Sequence, residues 1–229
     1  DMVIRDWSSD VCSSDLPHAW VRDRTLVARA GRFWEGLGRP LQHLFNAVFW
    51  DPRRFQRYLE GPSSLQGHHN GRNGNFRHAL EVAERARTLG CHHAEVHLPV
   101  LIAASLLHDA GKAEEYQFNP VRGRYEMTER GALLGHKHTV LEWIAAARAQ
   151  YRVIVPEAHY LALLHAITAA KGAPDWLGLR EPLSLDAHIL STVDRLSGQA
   201  DLVSRHAARD GGFGAYHRHL GGRPYVVRQ

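Results

Sequence analysis

The run LPVLIAASLLHDAGK, residues 98–112, constrains this chain more than any other stretch. It is apolar on most faces of a helix, so residues 98–110 are expected to form a central, buried helix, with Gly111 at its stop. Yet the run closes on His108 and Asp109. Burying either side chain without a partner costs several kcal/mol. The end of the central helix must therefore meet other polar groups brought in from elsewhere.

The rest of the chain supplies helices to pack around it. Residues 41–50 and 52–60 read as two short amphipathic helices broken at Asp51-Pro52. Residues 61–75, GPSSLQGHHNGRNGN, are a loop dense in Gly, Asn and Ser, and Asn75 is placed to cap a helix running to about residue 89. Within that helix Phe76, Ala79, Leu80, Ala83 and Ala86 recur at steps of three or four. EEYQFNPVRGRYEMTE reads as a surface excursion with a small hairpin around Arg122-Gly123. Residues 131–150, 156–170 and 185–204 read as three further helices, and the Gly-rich tail from residue 210 as irregular. No internal repeat and no series of alternating strands is present, so the predicted fold class is all-α.

Composition bounds the function classes. The chain has 229 residues, 44% hydrophobic and 23% charged, as expected of a globular protein with a core of its own. No apolar run reaches the ~18 residues a membrane span needs. A formal charge of +4 permits a polyanionic partner without requiring one. Residues 6–16, DWSSDVCSSDL, have no hydrophobic period and match the translation of a common sequencing adapter, so residues 1–16 are read as a sequencing artefact and the natural start as lying elsewhere. Setting them aside removes Cys12 and leaves Cys91 alone, which excludes an intrachain disulfide and fits a cytoplasmic setting. The expected organisation is a helical extension over 17–60, a domain over 61–209 and an irregular tail over 210–229.

Seventeen histidines are unusually many. Several sit among apolar neighbours on predicted helices: His78 just after the glycine-rich loop, His108 beside Asp109, His136 in GALLGHKH and His165 in LALLHAI. Asp194 lies likewise inside ILSTVDRLSG. Taken singly, each has an ordinary reading, such as a hydrogen-bonded core histidine or a salt-bridged carboxylate. Taken together they can satisfy one another through a cation. Imidazole nitrogen and carboxylate oxygen jointly suit divalent Mn, Fe, Ni, Co or Zn. Such an ion lowers the pKa of bound water toward ~7 and neutralises phosphate oxygens during displacement. Lys112, near His108, and Arg72 and Arg77, beside His78, are candidate phosphate contacts.

The order His78, then His108-Asp109, then Asp194 on successive helices resembles the HD-domain superfamily of metal-dependent phosphohydrolases. Within it, GPSSLQGHHNGRNGNFRHALEVA, GALLGH and the P-x-x-x-D-A pattern of residues 182–187 are similar to YhaM-type 3′–5′ exoribonucleases and to the HD domains of MobH/TraI-type relaxases. The resemblance covers about residues 41–201. It implies a helical bundle with the metal site between helices. His78, His108, Asp109 and Asp194 are then first-metal ligands, with Asp109 and Lys112 in the catalytic role and Asp109 bridging if there are two ions. His136 is a second-metal ligand on the same resemblance, while His69, Arg72, Arg77 and Lys171 are candidate substrate contacts read from the residues themselves. The family pattern continues with His-His-Gly where this chain has Ala170-Lys171-Gly172. Either the second site is lost and one ion remains, or His165 stands in as a ligand; Lys171 offers a positive charge near the phosphate in place of an ion's.

Three functions compete. The first is hydrolysis of a phosphoester in a nucleic acid or nucleotide, in the manner of a 3′–5′ exonuclease. The second is a relaxase-like module that processes DNA of a mobile element. The third is a degenerate, non-catalytic binding domain. Trp176, Tyr160 and Tyr116 are candidate stacking residues for a single strand, each with an ordinary packing role as the alternative.

Overall fold

Local capping sets where the helices begin. The computed structural model describes residues 17–67, 69–172, 176 and 178–228, and opens with α1 (Arg24–Glu35), α2 (Arg39–Val48) and α3 (Pro52–Glu60). The expectation of an artefact over residues 1–16 lies outside the described residues. Asp23 caps α1 by accepting the Thr25 N–H at 3.0 Å, and Asp51 caps α3 by accepting that of Arg53 at 2.8 Å. Pro52 takes the first helical position, where its missing N–H leaves nothing unpaired.

Helix α4 (Gly74–Gly90) starts differently from the expectation. Asn75 is not its cap but lies inside the first turn, buried, where its amide donates to the Asp109 carbonyl at 3.1 Å. Asn73 precedes the helix at φ +62°, a left-handed conformation that asparagine tolerates. Its amide donates to the carbonyls of Trp20 and Leu59, at 2.7 Å each, instead of capping.

Helix α5 (Leu98–Leu107) is the central helix, buried from Val100 to Leu107. It stops three residues short of the predicted end. The N–H groups of Ala110 and Lys112 reach back only three residues, to Leu107 and Asp109, at 2.9 and 3.0 Å, and this tighter turn leads into α6 (Lys112–Glu115). The predicted hairpin follows as β1 (Tyr116–Asn119) and β2 (Arg124–Met127), with Tyr116 opposite Met127 and Asn119 opposite Arg124.

The expected helix over 131–150 is two helices, α7 (Glu129–Leu133) and α8 (Gly135–Gln150). Gly135 has φ +72°, which no continuous right-handed helix accommodates, so the chain changes direction just before His136. Then come α9 (Glu157–Thr168) and α10 (Leu185–His206), the latter capped by Ser184 accepting from Ala187 at 3.2 Å. The tail is not wholly irregular. β3 (Gly212–Phe213) pairs antiparallel with β4 (Tyr225–Val226), a two-residue ladder too short to leave an alternating pattern in the sequence.

Helix α5 packs against α2, α4, α9 and α10, while α1 lies on α4 and α2 on α8. Leu26, Phe45, Tyr58, Leu80, Leu101, Ile144, Leu163 and Leu190 belong to one continuous core. Each large aliphatic among them stabilises the fold by roughly 1.5–3 kcal/mol. The Tyr58 hydroxyl donates to the Leu106 carbonyl at 2.9 Å, and its ring lies 4.7 Å from that of Phe49. Residues 17–60 thus share a core with the helices that follow. Among the described residues no helix is long and apolar enough to cross a membrane.

Candidate metal centre

Four side chains from three places in the bundle converge at the C-terminal end of α5. His78 comes from the second turn of α4, His108 and Asp109 from the turn after α5, and Asp194 from the middle of α10. One ligand atom from each lies within 4.8 Å of all the others. His78 Nε2 is 3.1 Å from Asp194 Oδ1 and 3.4 Å from Asp109 Oδ2. His108 Nε2 is 3.5 Å from Asp109 Oδ2 and 3.6 Å from Asp194 Oδ1. His78, His108 and Asp109 are buried, and Asp194 is half-exposed.

Hydrogen bonds orient the set. His108 Nδ1 is 2.8 Å from the Ser105 carbonyl, so that nitrogen must carry the proton and donate. His108 Nε2 then faces the carboxylates, buried and without a hydrogen-bond partner. Lys112 Nζ donates to Asp109 Oδ2 at 2.6 Å and lies 3.5 Å from Ser63 Oγ. The second Asp109 oxygen, Oδ1, is 3.3 Å from His136 Nε2, and His136 Nδ1 is 2.7 Å from Glu115 Oε2. Asp109 therefore presents one oxygen to the four-residue cluster and the other to His136.

The charges match this geometry. Burial alone would raise the pKa of Asp109, but Lys112, His108 and His136 hold it well below the carboxylate range. Asp194 is likewise held low against burial, by the adjacent imidazole of His108, by its hydrogen bond to His78 and by the charges of both. Burial would lower the pKa of His108, yet Asp109, Asp194 and the Ser105 carbonyl raise it to about 9. A buried carboxylate with a half-exposed one beside it calls for positive charge between them, which a proton or a metal cation can supply. The donor set fits the second: two imidazole nitrogens, two carboxylate oxygens and an orphaned buried Nε2 suit a divalent transition ion.

The other residues named from the sequence lie as follows. His69 Nε2 is 3.0 Å from Glu81 Oε2, with its ring centroid 6.2 Å from that of His78. Arg72 pairs with Glu60 at 2.6 Å and donates to the Ala19 carbonyl. Arg77 reaches Asp23 at 3.4 Å, and Lys171 is exposed. His165 is not brought into the four-residue cluster: its Nε2 accepts the Leu183 N–H at 2.9 Å. Trp176 is exposed, Tyr160 belongs to the core and Tyr116 is half-buried. Sequence reasoning missed Glu115, Ser63 and the role of Asn75. Glu115 lies in a Glu-rich stretch that reads as surface; the signal that could have found it is its position three residues beyond Lys112, one turn along the same short helix.

The family HD domain matches residues 75–199, more than half of the chain, and that span contains all four cluster residues. The 3′-5′ exoribonuclease YhaM of Bacillus licheniformis is 27% identical over 154 residues, which cover 67% of this chain and 48% of that relative. The chain spans about half the length of the curated relative it matches. No solved structure matches it. The match over the residues that build the cluster, joined to a donor set suited to a divalent ion, shows that the chain belongs to the HD-domain family of metal-dependent phosphohydrolases.

Proposed function

We propose that this chain hydrolyses a phosphoester of a nucleic acid end or a nucleotide, in the manner of a 3′–5′ exonuclease. The observation that carries this reading is the shared carboxylate: Asp109 turns Oδ2 to His78, His108 and Lys112, and Oδ1 to His136. On this reading His78, His108, Asp109 and Asp194 hold a divalent cation, with Mn, Fe, Ni, Co and Zn all compatible. Bound there, the cation supplies an acidified water and neutralises charge on the phosphate oxygens.

The chain's own residues bind and orient. Lys112, paired with Asp109 Oδ2 at 2.6 Å, would stand beside a cation held by the four-residue cluster, where its ammonium can meet a phosphate oxygen. Ser63 Oγ, 3.5 Å away, is a second acceptor for that ammonium. His69 and Lys171 are the proposed substrate contacts, one beside His78 and one exposed beyond α9. Arg72 and Arg77, engaged by Glu60 and Asp23, add positive field rather than direct contact. Cys91, an exposed free thiol among the described residues, accords with a cytoplasmic setting, which is part of the proposal.

The test is a screen with each metal against a nitrophenyl nucleotide ester, single-stranded RNA and single-stranded DNA, with Asp109→Ala as control. Shortening of RNA from the 3′ end, lost in the control, supports the exonuclease reading. Cleavage of DNA alone would replace it with the relaxase-like one. A second reading, a binding domain without catalysis, is favoured by Ala170-Lys171-Gly172 standing where the resemblance implies His-His-Gly. Metal binding with no hydrolysis of any of the three substrates would establish it.

A further inference from the structure

We propose that Glu115 is a positioning residue: it holds His136 against Asp109, and so sets how tightly the second cation that the family resemblance implies is bound at Asp109 Oδ1. The proposal rests on the phosphohydrolase reading above.

Glu115 is a buried carboxylate, 7% exposed, and its Oε2 lies 2.7 Å from His136 Nδ1. A buried charge needs a specific partner, and this one finds it in the imidazole. With Nδ1 anchored, the ring can turn only Nε2 to Asp109 Oδ1, 3.3 Å away. A carboxylate behind a histidine, fixing its ring, is how metal-binding imidazoles are commonly oriented.

The backbone is shaped around the same three residues. A Cβ on Gly111 would lie 2.1 Å from the His136 carbonyl oxygen, so only glycine lets the start of α8 come this close to the turn carrying Asp109. A Cβ on Gly131 would lie 2.6 Å from the Glu115 carbonyl oxygen and 2.8 Å from Glu115 Cγ. Gly135, at φ +72°, turns the chain immediately before His136. Three glycines in three different elements thus each permit one side of the Glu115, His136 and Asp109 arrangement.

The arrangement offers a cation two protein ligands, against four at the inner cluster. The sequence that might have added more does not: Ala170 donates its N–H to the Arg180 carbonyl, and Lys171 is exposed. A cation there keeps most of its ligands as water or substrate phosphate. It is therefore bound weakly, and it depends on Glu115 to hold one of its two protein ligands in place.

The experiment is a Mn2+ titration of the full chain followed by electron paramagnetic resonance, with calorimetry and a thermal melt. The variants are Glu115→Gln, Glu115→Ala and Gly131→Ala, the last crowding Glu115 without touching any ligand. The wild type is expected to bind one ion tightly and a second more weakly, with spin coupling between them. Each variant is expected to keep the first affinity and to weaken the second by about 10–100-fold. Glu115→Gln, which retains an acceptor, should lose least. Equal weakening of both ions, or an unchanged second affinity, would overturn the proposal. A wild type that binds a single ion overturns it while the inner cluster stands. A wild type that binds none and hydrolyses nothing brings down the phosphohydrolase reading as well.

Discussion

The two oxygens of Asp109 sit in contrasting surroundings. Oδ2 meets His78 at 3.4 Å, His108 at 3.5 Å and Lys112 at 2.6 Å, with Asp194 close by. Oδ1 meets one imidazole, His136, held from behind by Glu115. The crowded side is assembled from helices α4, α5 and α10, which the hydrophobic core fixes in place. The sparse side is assembled from the α6 turn and the start of α8, which approach each other only because glycines leave room. Long-range packing makes the many-liganded side; close backbone approach at glycines makes the sparse one.

Removing the carboxylate common to both sides should give the largest effect. Asp109→Ala is expected to abolish bound metal and to lower hydrolysis by about a thousandfold or more. It also strips Lys112 and His108 of their buried partner, which costs the metal-free protein roughly 3–5 kcal/mol in urea unfolding. A variant retaining wild-type metal content would break the comparison at its root. Next comes the sparse side alone. In Gly111→Ala the new Cβ meets backbone atoms of His136, which cannot rotate away. The strain should cost roughly 1–3 kcal/mol, and the displaced imidazole about 10–100-fold in turnover, with the tight ion retained. Loss of the tight ion in Gly111→Ala would mean that the two sides are one unit.

The crowded side also has a pH signature of its own. The pKa of His108 is raised from 6.5 to about 9 in the folded chain, so its contribution to stability is complete below about pH 6.5 and disappears as pH rises through 9. Asp109 and Asp194 are depressed, so theirs is complete above the ordinary carboxylate range and disappears as pH falls below it. Chelated protein should be most stable between roughly pH 4 and 6.5, and lose roughly 2–3 kcal/mol on going to pH 9. Saturating divalent metal takes over the positive charge and should flatten that alkaline limb. Melting curves with and without chelator measure both, and an alkaline limb unchanged by metal would remove the cation from the crowded side.

The same division decides how much could be read from the sequence. The central helix was legible because residues 98–107 are apolar on most faces, and the cluster because His78, His108, Asp109 and Asp194 interrupt apolar surroundings. Glu115 was not legible, since a second glutamate beside it makes the stretch read as solvated surface. Arg72 and Arg77 read as phosphate contacts from their neighbours in the chain, but the acids that engage them, Glu60 and Asp23, lie 12 and 54 residues away. Asn75 reads as a cap by residue type. The left-handed Asn73 and the buried bond to the Asp109 carbonyl are set by tertiary approach, which propensity does not register. The break before α8 had a signal, Gly135, masked by the apolar periodicity on both sides.

The smallest effect is expected at His165, and it sharpens the comparison from outside. Its Nε2 accepts the Leu183 N–H at 2.9 Å, so the lone pair a metal would need is engaged in holding the segment between α9 and α10. Leu183 itself is exposed, so water can replace part of what is lost. His165→Ala should cost about 0.5–1.5 kcal/mol, the value of one ordinary hydrogen bond. Metal stoichiometry and both Mn2+ affinities should stay at wild-type values. His165→Gln, which keeps an acceptor, should recover part of the stability. If His165→Ala instead lost the weaker ion, the imidazole must leave Leu183 when metal binds, and the sparse side of Asp109 would have three protein ligands rather than two.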